Sequence, residues 1–275
     1  MSATQRWADM IRAEHAQSDS MRRDKPRPDD SWANFAQQFR ADPRRTDDPL
    51  VDHLRRQVTP EQVLLDVGAG GGRMALPLAL SAKKVIAIEP SPSMCRVLRE
   101  AAAEFDVENV EVIESGWLDA QVPQAPRADI ALCCHVLYTI QDIEPFVRKL
   151  EEHAHRVLVV MYQAPPQSQI YPLWELVHGK PRLALPSLPE FLEVLDQLGI
   201  GPEIEVVHTE RNRGFDSLET AKEQLARRLY VSPGSAEMER LEALLTQVLE
   251  EKDGVFLIKG ATPLEPRVVS WRPGV

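Results

Sequence analysis

From Glu61 onward the chain alternates between short, continuous apolar runs and amphipathic stretches. Val63-Leu-Leu-Asp-Val67 is one such run and ends in glycines. Val85–Ile88, Val110–Ile113, Asp129–Cys133 and Arg156–Met161 repeat the pattern. Runs this short, bounded by turn residues, predict strands buried on both faces. Between them, Met74–Leu80 is helical in character, with Pro77 near the first turn, where a missing N–H costs little. Ser91-Pro92 supplies an N-cap and a favourable first helical residue, and Cys95, Leu98, Ala102 and Phe105 follow on one stripe. Asp142 is placed to cap a helix running through Leu150. Strands alternating with helices predict an α/β fold, a doubly wound, mostly parallel sheet of about seven strands.

The flanks read differently. Residues 3–17 predict a helix with Ala3, Trp7, Met10 and Ile11 on one face. Met21–Asp30 is charged, holds two prolines and lacks an apolar stripe, which predicts a linker or mobile loop with a solvated basic stretch at Arg22–Arg27. Ser31–Arg40 and Asp48–Gln57 predict two more short helices. After Met161 the alternation loosens into a proline-rich stretch, 163–189, that carries Tyr171, Trp174 and His178. Ser187-Leu-Pro-Glu190 has capping-box spacing ahead of a helix that Gly199 closes. Glu203–Thr209 predicts a strand, and Val255–Ile258 and Val268–Trp271 two closing strands. Between them lie two helical stripes, Leu218, Ala221, Leu225, Leu229 and Met238, Leu241, Leu245, Val248, which predict a helical insertion at about 211–254.

Charge and cysteine usage narrow the class. The net charge of −10 over 275 residues argues against a general nucleic-acid binder, since phosphate contacts need clustered Lys and Arg. The three cysteines, Cys95, Cys133 and Cys134, are odd in number and two are adjacent, so they form no disulfide framework and suit a reducing, cytoplasmic setting. No metal-ligand spacing of Cys and His occurs, and no metal is expected. The longest apolar stretch, Ile130–Ile140, is interrupted by His135 and is too short to span a bilayer, so no membrane partner is expected.

The sharpest chemical signal is Asp66-Val-Gly68-Ala-Gly70-Gly71-Gly72-Arg73, directly after the first strand. Glycines here leave backbone that a ligand can lie against, with the next helix's free N–H groups beyond it. Glu89 ends the second strand, 23 residues after Asp66, where an acid can accept two hydrogen bonds from a ribose diol. Both features suit a dinucleotide as well as a methyl donor, so spacing decides. A G-x-G-x-x-G fingerprint aligned on Gly68 and Gly70 needs its third glycine at position 73, which is Arg73. The pattern is instead D-x-G-x-G-x-G.

Val63–Arg73, Ile86-Ala-Ile-Glu-Pro90 and Ala128-Asp-Ile-Ala-Leu132 through Asp142 resemble the class I S-adenosylmethionine-dependent methyltransferases. The resemblance covers about residues 48–163 and implies S-adenosylmethionine as cofactor. It implies that the loop Asp66, Gly68, Ala69, Gly70 and Gly72 wraps the methionine end, and that Glu89, followed by Pro90, binds the ribose hydroxyls. The family often places an Asp after the third strand to hold the adenine amino group. Here Ser115-Gly116-Trp117 stands there, so the Trp117 ring is a candidate cover for the adenine and its N–H a candidate partner. Cys134 and His135 follow the fourth strand and would run past the cofactor's sulfur.

For catalysis the candidates are His135, as base or orienting group, and Tyr138, as a pocket wall. Methyl transfer is an in-line displacement that needs mainly orientation and electrostatics, so a missing catalytic triad does not exclude it. Residues 1–47 are expected to be an N-terminal helical appendage or lid, and 48–275 the methyltransferase domain, with an acceptor-side region at about 163–190. Trp7, Trp32 and Phe35, with Tyr171, Trp174 and His178, are candidate cover for an acceptor pocket. A small-molecule acceptor is favoured and a protein acceptor stays open. Two alternatives stand beside this reading: an NAD(P)-dependent oxidoreductase, and a non-catalytic S-adenosylmethionine-binding or interaction subunit.

Overall fold

The computed structural model describes residues 1–21, 30, 32–33, 35–121, 127–209, 214–261 and 264–274. The basic stretch at Arg22–Arg27 therefore lies outside the described residues. In chain order the regular elements are α1 (Ala3–Met21), α2 (Pro49–Arg55), β1 (Val63–Val67), α3 (Ala75–Ala79), β2 (Lys84–Glu89), α4 (Pro92–Glu104), β3 (Val110–Glu114), β4 (Ala128–Cys134), α5 (Ile143–His153), β5 (Ala154–Tyr162), α6 (Tyr171–His178), α7 (Leu188–Gln197), β6 (Glu203–Val206), α8 (Leu218–Arg228), α9 (Ala236–Val248), β7 (Leu249–Lys252), β8 (Val255–Ile258) and β9 (Pro266–Trp271).

Seven strands form one sheet in the order β3-β2-β1-β4-β5-β9-β6. β1 to β5 pair in parallel, and β9 enters antiparallel between β5 and β6. Strand order reverses between β1 and β4, and ligands of open α/β sheets bind outside the strand ends at such a point. The buried strands alternate between two cores. Leu65, Val67, Ile88, Ala131 and Cys133 join α1, α5 and α7 on one face. Leu64, Val85, Ala87, Ile130 and Leu132 join α2, α3 and α4 on the other. Period-two alternation puts Asp66 and Glu89 on this second face.

Local signals explain most boundaries. Ser91 accepts from Met94 N–H at the start of α4, and Ser187 with Glu190 forms the capping box of α7. Gly199, at φ +75°, follows α7 in the left-handed region. Asp142 stands at the N-cap of α5 without a side-chain cap. Three expectations are corrected. Val255–Ile258 does not close the main sheet; it pairs with Leu249–Lys252 in a separate hairpin, because both of its neighbours belong to the insertion. The strand after Gly199 stops at Val206. In the 31–40 region the described helix is a single 3₁₀ turn, Ala36–Phe39.

A third core stands apart from the sheet. Ala221, Leu225 and Leu229 of the first insertion stripe meet Leu241 and Leu245 of the second, and both meet Leu173, Trp174 and Val177 of α6. Arg182 stitches this lobe to α1. Its guanidinium pairs with Glu14 and lies 4.3 Å from the Trp174 ring centre, with only 3% of its side chain exposed. No helix among the described residues is long and apolar enough to cross a membrane.

α1 is fastened at its other end by Trp7. The ring is fully buried, donates its N–H to the Ile140 carbonyl at 2.7 Å and packs 6.0 Å from Phe191. Trp7→Ala removes a large buried ring and leaves that carbonyl unpaired. The expected loss is about 3–5 kcal/mol in urea unfolding; a loss near zero would mean that α1 does not dock as described.

Candidate functional site

The loop after β1 is shaped by its glycines and by strand β2. The amides of Gly68 and Ala69 both donate to the Ile88 carbonyl, at 2.8 and 3.1 Å, which ties the loop to the neighbouring strand end. Gly68 sits at φ +76°, and a Cβ there would lie 2.4 Å from Val136 Cγ2. It is fixed both by its backbone and by the chain leaving β4. Gly70 is different. Its φ is +55°, yet a Cβ there would meet nothing within 4 Å. The space beside Gly70 is open, the cradle that a ligand against the main chain requires. Ala69 is buried, and Gly72, at φ +87°, presses close to Leu76 and Leu98.

Two acids stand beside this loop. Glu89 is buried, with one carboxylate oxygen accepting from Gly70 N–H at 2.8 Å and the other from Ser91 N–H at 2.9 Å. Burial pushes its pKa up, those two amides pull it back and the Asp30 carboxylate adds to the rise. Asp66 is 2% exposed, and its Oδ2 has no hydrogen-bond partner. Burial, and then the nearby Glu89 charge, raise its pKa to about 7. A buried carboxylate oxygen with no hydrogen-bond partner, near an open glycine, suits a ligand that brings a cationic or hydrogen-donating group. These residues fit S-adenosylmethionine: a cationic methionine end for Asp66, backbone contact at Gly70 and a ribose diol for Glu89.

The remaining candidates separate. Pro90 is exposed at the strand end, and Gly116 is half-buried and opens a turn by accepting from Asp119 and Ala120. Trp117 is corrected. It is 5% exposed, gives its N–H to the Phe146 carbonyl at 3.1 Å, and packs on Phe146 and His153, so that N–H is committed to the core. Trp7 is likewise committed to the core, and Trp174, buried in the third core, packs 4.4 Å from the half-buried His178. Trp32 is 48% exposed and edges onto Phe39, and Phe35 lies under Arg227 of α8.

Beyond β4 the chain turns through His135 at φ +58°, in the left-handed region. Its ring stacks on Tyr162 at 4.2 Å, and its Nδ1 lies 3.3 Å from the Tyr138 hydroxyl. That hydroxyl accepts the Tyr162 amide at 2.7 Å, and burial pushes its pKa well up. In the tautomer in which Tyr138 donates to His135 Nδ1, Nε2 carries the hydrogen and the ring is a donor rather than a base. Cys134 is half-buried, and burial raises its thiol far above the ordinary range, as it does for Cys133. Neither is an activated nucleophile.

Residues that the sequence reading missed also meet here. Arg73 reaches Asp48 at 2.9 Å, Arg45 pairs with the same carboxylate, and Arg45 also donates to the Arg73 carbonyl. The position where a dinucleotide fingerprint needs glycine is thus a structural arginine. Tyr162 carries no signal beyond its place at the end of a strand.

Residues 64–159 match the model of the family described as methyltransferase domain. They form a class I S-adenosylmethionine-dependent methyltransferase domain. That domain class takes S-adenosylmethionine as its cofactor, which displaces the oxidoreductase alternative. The probable ribosomal RNA small subunit methyltransferase A of Methanosphaera stadtmanae is 28% identical to the chain over 132 residues, 46% of each protein. The chain spans less than half the length of such curated relatives. Among solved structures, the YcgJ protein of Bacillus subtilis superposes with a TM-score of 0.54 at 18% identity, covering 82% of this chain and 98% of that one. The [4+2]-cyclase SpnF does so at 0.53 and 18%, covering 82% and 80%. Likeness at this level shows the methyltransferase domain's fold and not its reaction.

Two outcomes follow for the glycine loop and its acid. Gly70→Val should fold, since its Cβ meets no atom, though at a cost from positive φ. It should lose the thermal stabilisation by S-adenosylmethionine that the parent shows; equal stabilisation of both would remove the loop from the site. Asp66→Asn tests the buried acid. Between about pH 4 and 7 the folded chain holds a proton on Asp66 that the unfolded chain has released, so this group's contribution to stability falls as pH rises through that window. The ligand-free variant, measured against the parent by urea unfolding, should therefore gain stability from pH 5 to pH 8, on the order of 2–4 kcal/mol in full. A constant difference would show that Asp66 titrates normally.

Proposed function

We propose that the chain transfers a methyl group from S-adenosylmethionine to a small-molecule acceptor by in-line displacement. The observation that carries the donor half is the pairing of an orphaned Asp66 oxygen with the open backbone at Gly70, both within reach of Glu89. On this reading Asp66 faces the methionine ammonium, the Gly68–Gly72 backbone lies along the methionine end, and Glu89 accepts from the ribose hydroxyls. Gly116, Pro90 and Cys134 flank the adenosine and sulfur without a charge of their own. The cofactor supplies an activated methyl group, so the protein's task is alignment, worth on the order of 7–11 kcal/mol. His135, held by Tyr138 and stacked on Tyr162, orients an acceptor oxygen or nitrogen as a hydrogen-bond donor. Residues 48–275 make up the methyltransferase domain, with 163–190 on the acceptor side, and 1–47 an appendage to it.

The small-molecule half rests on charge. The relatives named for ribosomal RNA raise the alternative of a nucleic-acid acceptor. Yet several arginines of the N-terminal half are engaged by carboxylates: Arg40 by Glu104, Arg45 and Arg73 by Asp48, Arg55 by Asp52, and Arg99 by Glu114. Paired cations make a poor phosphate-binding face, and the chain's net charge of −10 opposes one further.

The test uses S-adenosylmethionine labelled on its methyl group, offered with three separate acceptor pools: filtered small metabolites, total RNA and total protein. Label should move into the metabolite pool and fail to do so with Glu89→Ala. Label in RNA would overturn the acceptor class and favour the reading from the relatives. Binding of the donor with no transfer to any pool would favour a non-catalytic subunit.

A further inference from the structure

The acid that meets the ribose in the proposed function does not stand alone; a residue from the N-terminal segment reaches it through one intermediary. Asp30 lies 59 positions before Glu89 in a stretch with no chemical motif. One of its carboxylate oxygens accepts the Ser91 hydroxyl at 2.8 Å and the Trp32 amide at 3.0 Å. The other accepts the Ser93 amide at 3.0 Å. Burial works against its charge, but the hydrogen bonds from Ser93, Ser91 and Trp32 outweigh that and hold its pKa down at about 2.

The consequence runs through Ser91. A serine hydroxyl has one proton and two lone pairs, and an ionised carboxylate only accepts. Ser91 must therefore donate to Asp30, which leaves its oxygen to accept the Met94 amide at 3.2 Å and the Ser93 hydroxyl at 3.0 Å. This fixes the Ser91–Ser93 turn at the head of α4. The same turn presents the Ser91 amide to Glu89 at 2.9 Å, while Gly70 holds the other Glu89 oxygen. Ser91, Ser93 and Glu89 are all buried, so the Ser91 end of this chain of bonds is shielded from water, and Asp30 itself is half-buried. The segment carrying Asp30 is itself pressed onto α4: Ala36 and Phe39 pack on Met94 and Val97, Arg40 pairs with Glu104, and Arg44 donates to the Phe105 carbonyl.

We propose that Asp30 is a positioning residue for cofactor binding: by locking the Ser91–Ser93 turn it holds the Glu89 carboxylate in the orientation that receives the ribose diol. The proposal rests on the S-adenosylmethionine reading above. It makes the N-terminal segment part of the donor site, although none of its residues touches the donor in this account.

A double-mutant cycle read by calorimetry tests it, using the full chain and three probes: S-adenosylmethionine, S-adenosylhomocysteine and adenosine. All three share the ribose, so Asp30→Asn should weaken each by a similar factor, roughly tenfold, the size of one lost charge-assisted hydrogen bond. In the Glu89→Gln background the same substitution should change affinity less than about twofold, because the group it positions has already been altered. A merely structural role would leave the two losses additive, and that result overturns the proposal. So does an unchanged affinity in Asp30→Asn. Helical circular dichroism of each variant separates loss of binding from loss of fold, and Ser91→Ala, which breaks the same relay one bond later, should reproduce the Asp30 pattern if Asp30→Asn fails to fold. A parent that binds none of the three probes refutes the donor reading itself.

Discussion

A carboxylate held between two backbone amides is the interaction on which the site depends. Glu89 joins the loop after β1, through Gly70, to the turn after β2, through Ser91. Each bond satisfies an amide that the end of a strand or the start of a helix would otherwise leave unpaired. Each also spends one lone pair of the carboxylate and leaves the outward ones for a ligand. Without this clamp the first half of the glycine loop would be tethered to β2 by the amides of Gly68 and Ala69 on the Ile88 carbonyl. A loop with three positive-φ glycines has too many conformers to hold a cradle open on such a tether alone.

The clamp has an electrostatic cost. Glu89 stands close enough to Asp66 to raise its pKa, and Asp30 acts on Glu89 in the same way. Asp66 and Glu89 at the strand ends repel each other, and Asp30 repels Glu89 from beyond them. Hydrogen bonds offset the cost at Asp30 and in part at Glu89, and Asp66 Oδ2 has no hydrogen-bond partner. The unpaid position is the one next to the open glycine, so the strain concentrates where a cation would relieve it. This is the usual economy of a binding site, where an unsatisfied group in the free protein becomes affinity in the complex.

Most of this frame was legible in the sequence. Five parallel strands, the helices between them, the capping box of α7 and the glycine loop all follow from local pattern, because each is decided within a few residues of chain. What failed was decided at long range. Val255–Ile258 has the composition of a sheet strand, yet its partner, Leu249–Lys252, is polar and gives no signal of its own. Trp117 looked like an adenine cover because it follows the third strand where the resembling family binds adenine; its ring instead closes the core under α5, with Lys149 over its face at 4.7 Å. Asp30 sits in a charged, proline-bearing stretch that reads as linker. Its role depends on a turn 61–63 residues away, and no spacing rule connects the two.

The division between local and long-range information also separates donor from acceptor. The donor side is built from strand ends and a glycine loop, whose backbone geometry a short motif can encode. The proposed acceptor side falls to the chain after β5, where the order of strand and helix breaks down and α6 leaves the sheet to join α8 and α9 in a core of their own. That core reaches back to the rest of the molecule by side chains rather than by strands, through Arg182 to Glu14 and Arg227 to Phe35. Such a lobe can change its lining without disturbing the sheet, because the two cores share few residues. A fold that hosts both methyltransferases and the cyclase SpnF needs this independence. On the proposed function, the acceptor is therefore read by α6, α8 and α9 and by the His135–Tyr162 stack rather than by the motif that identifies the domain.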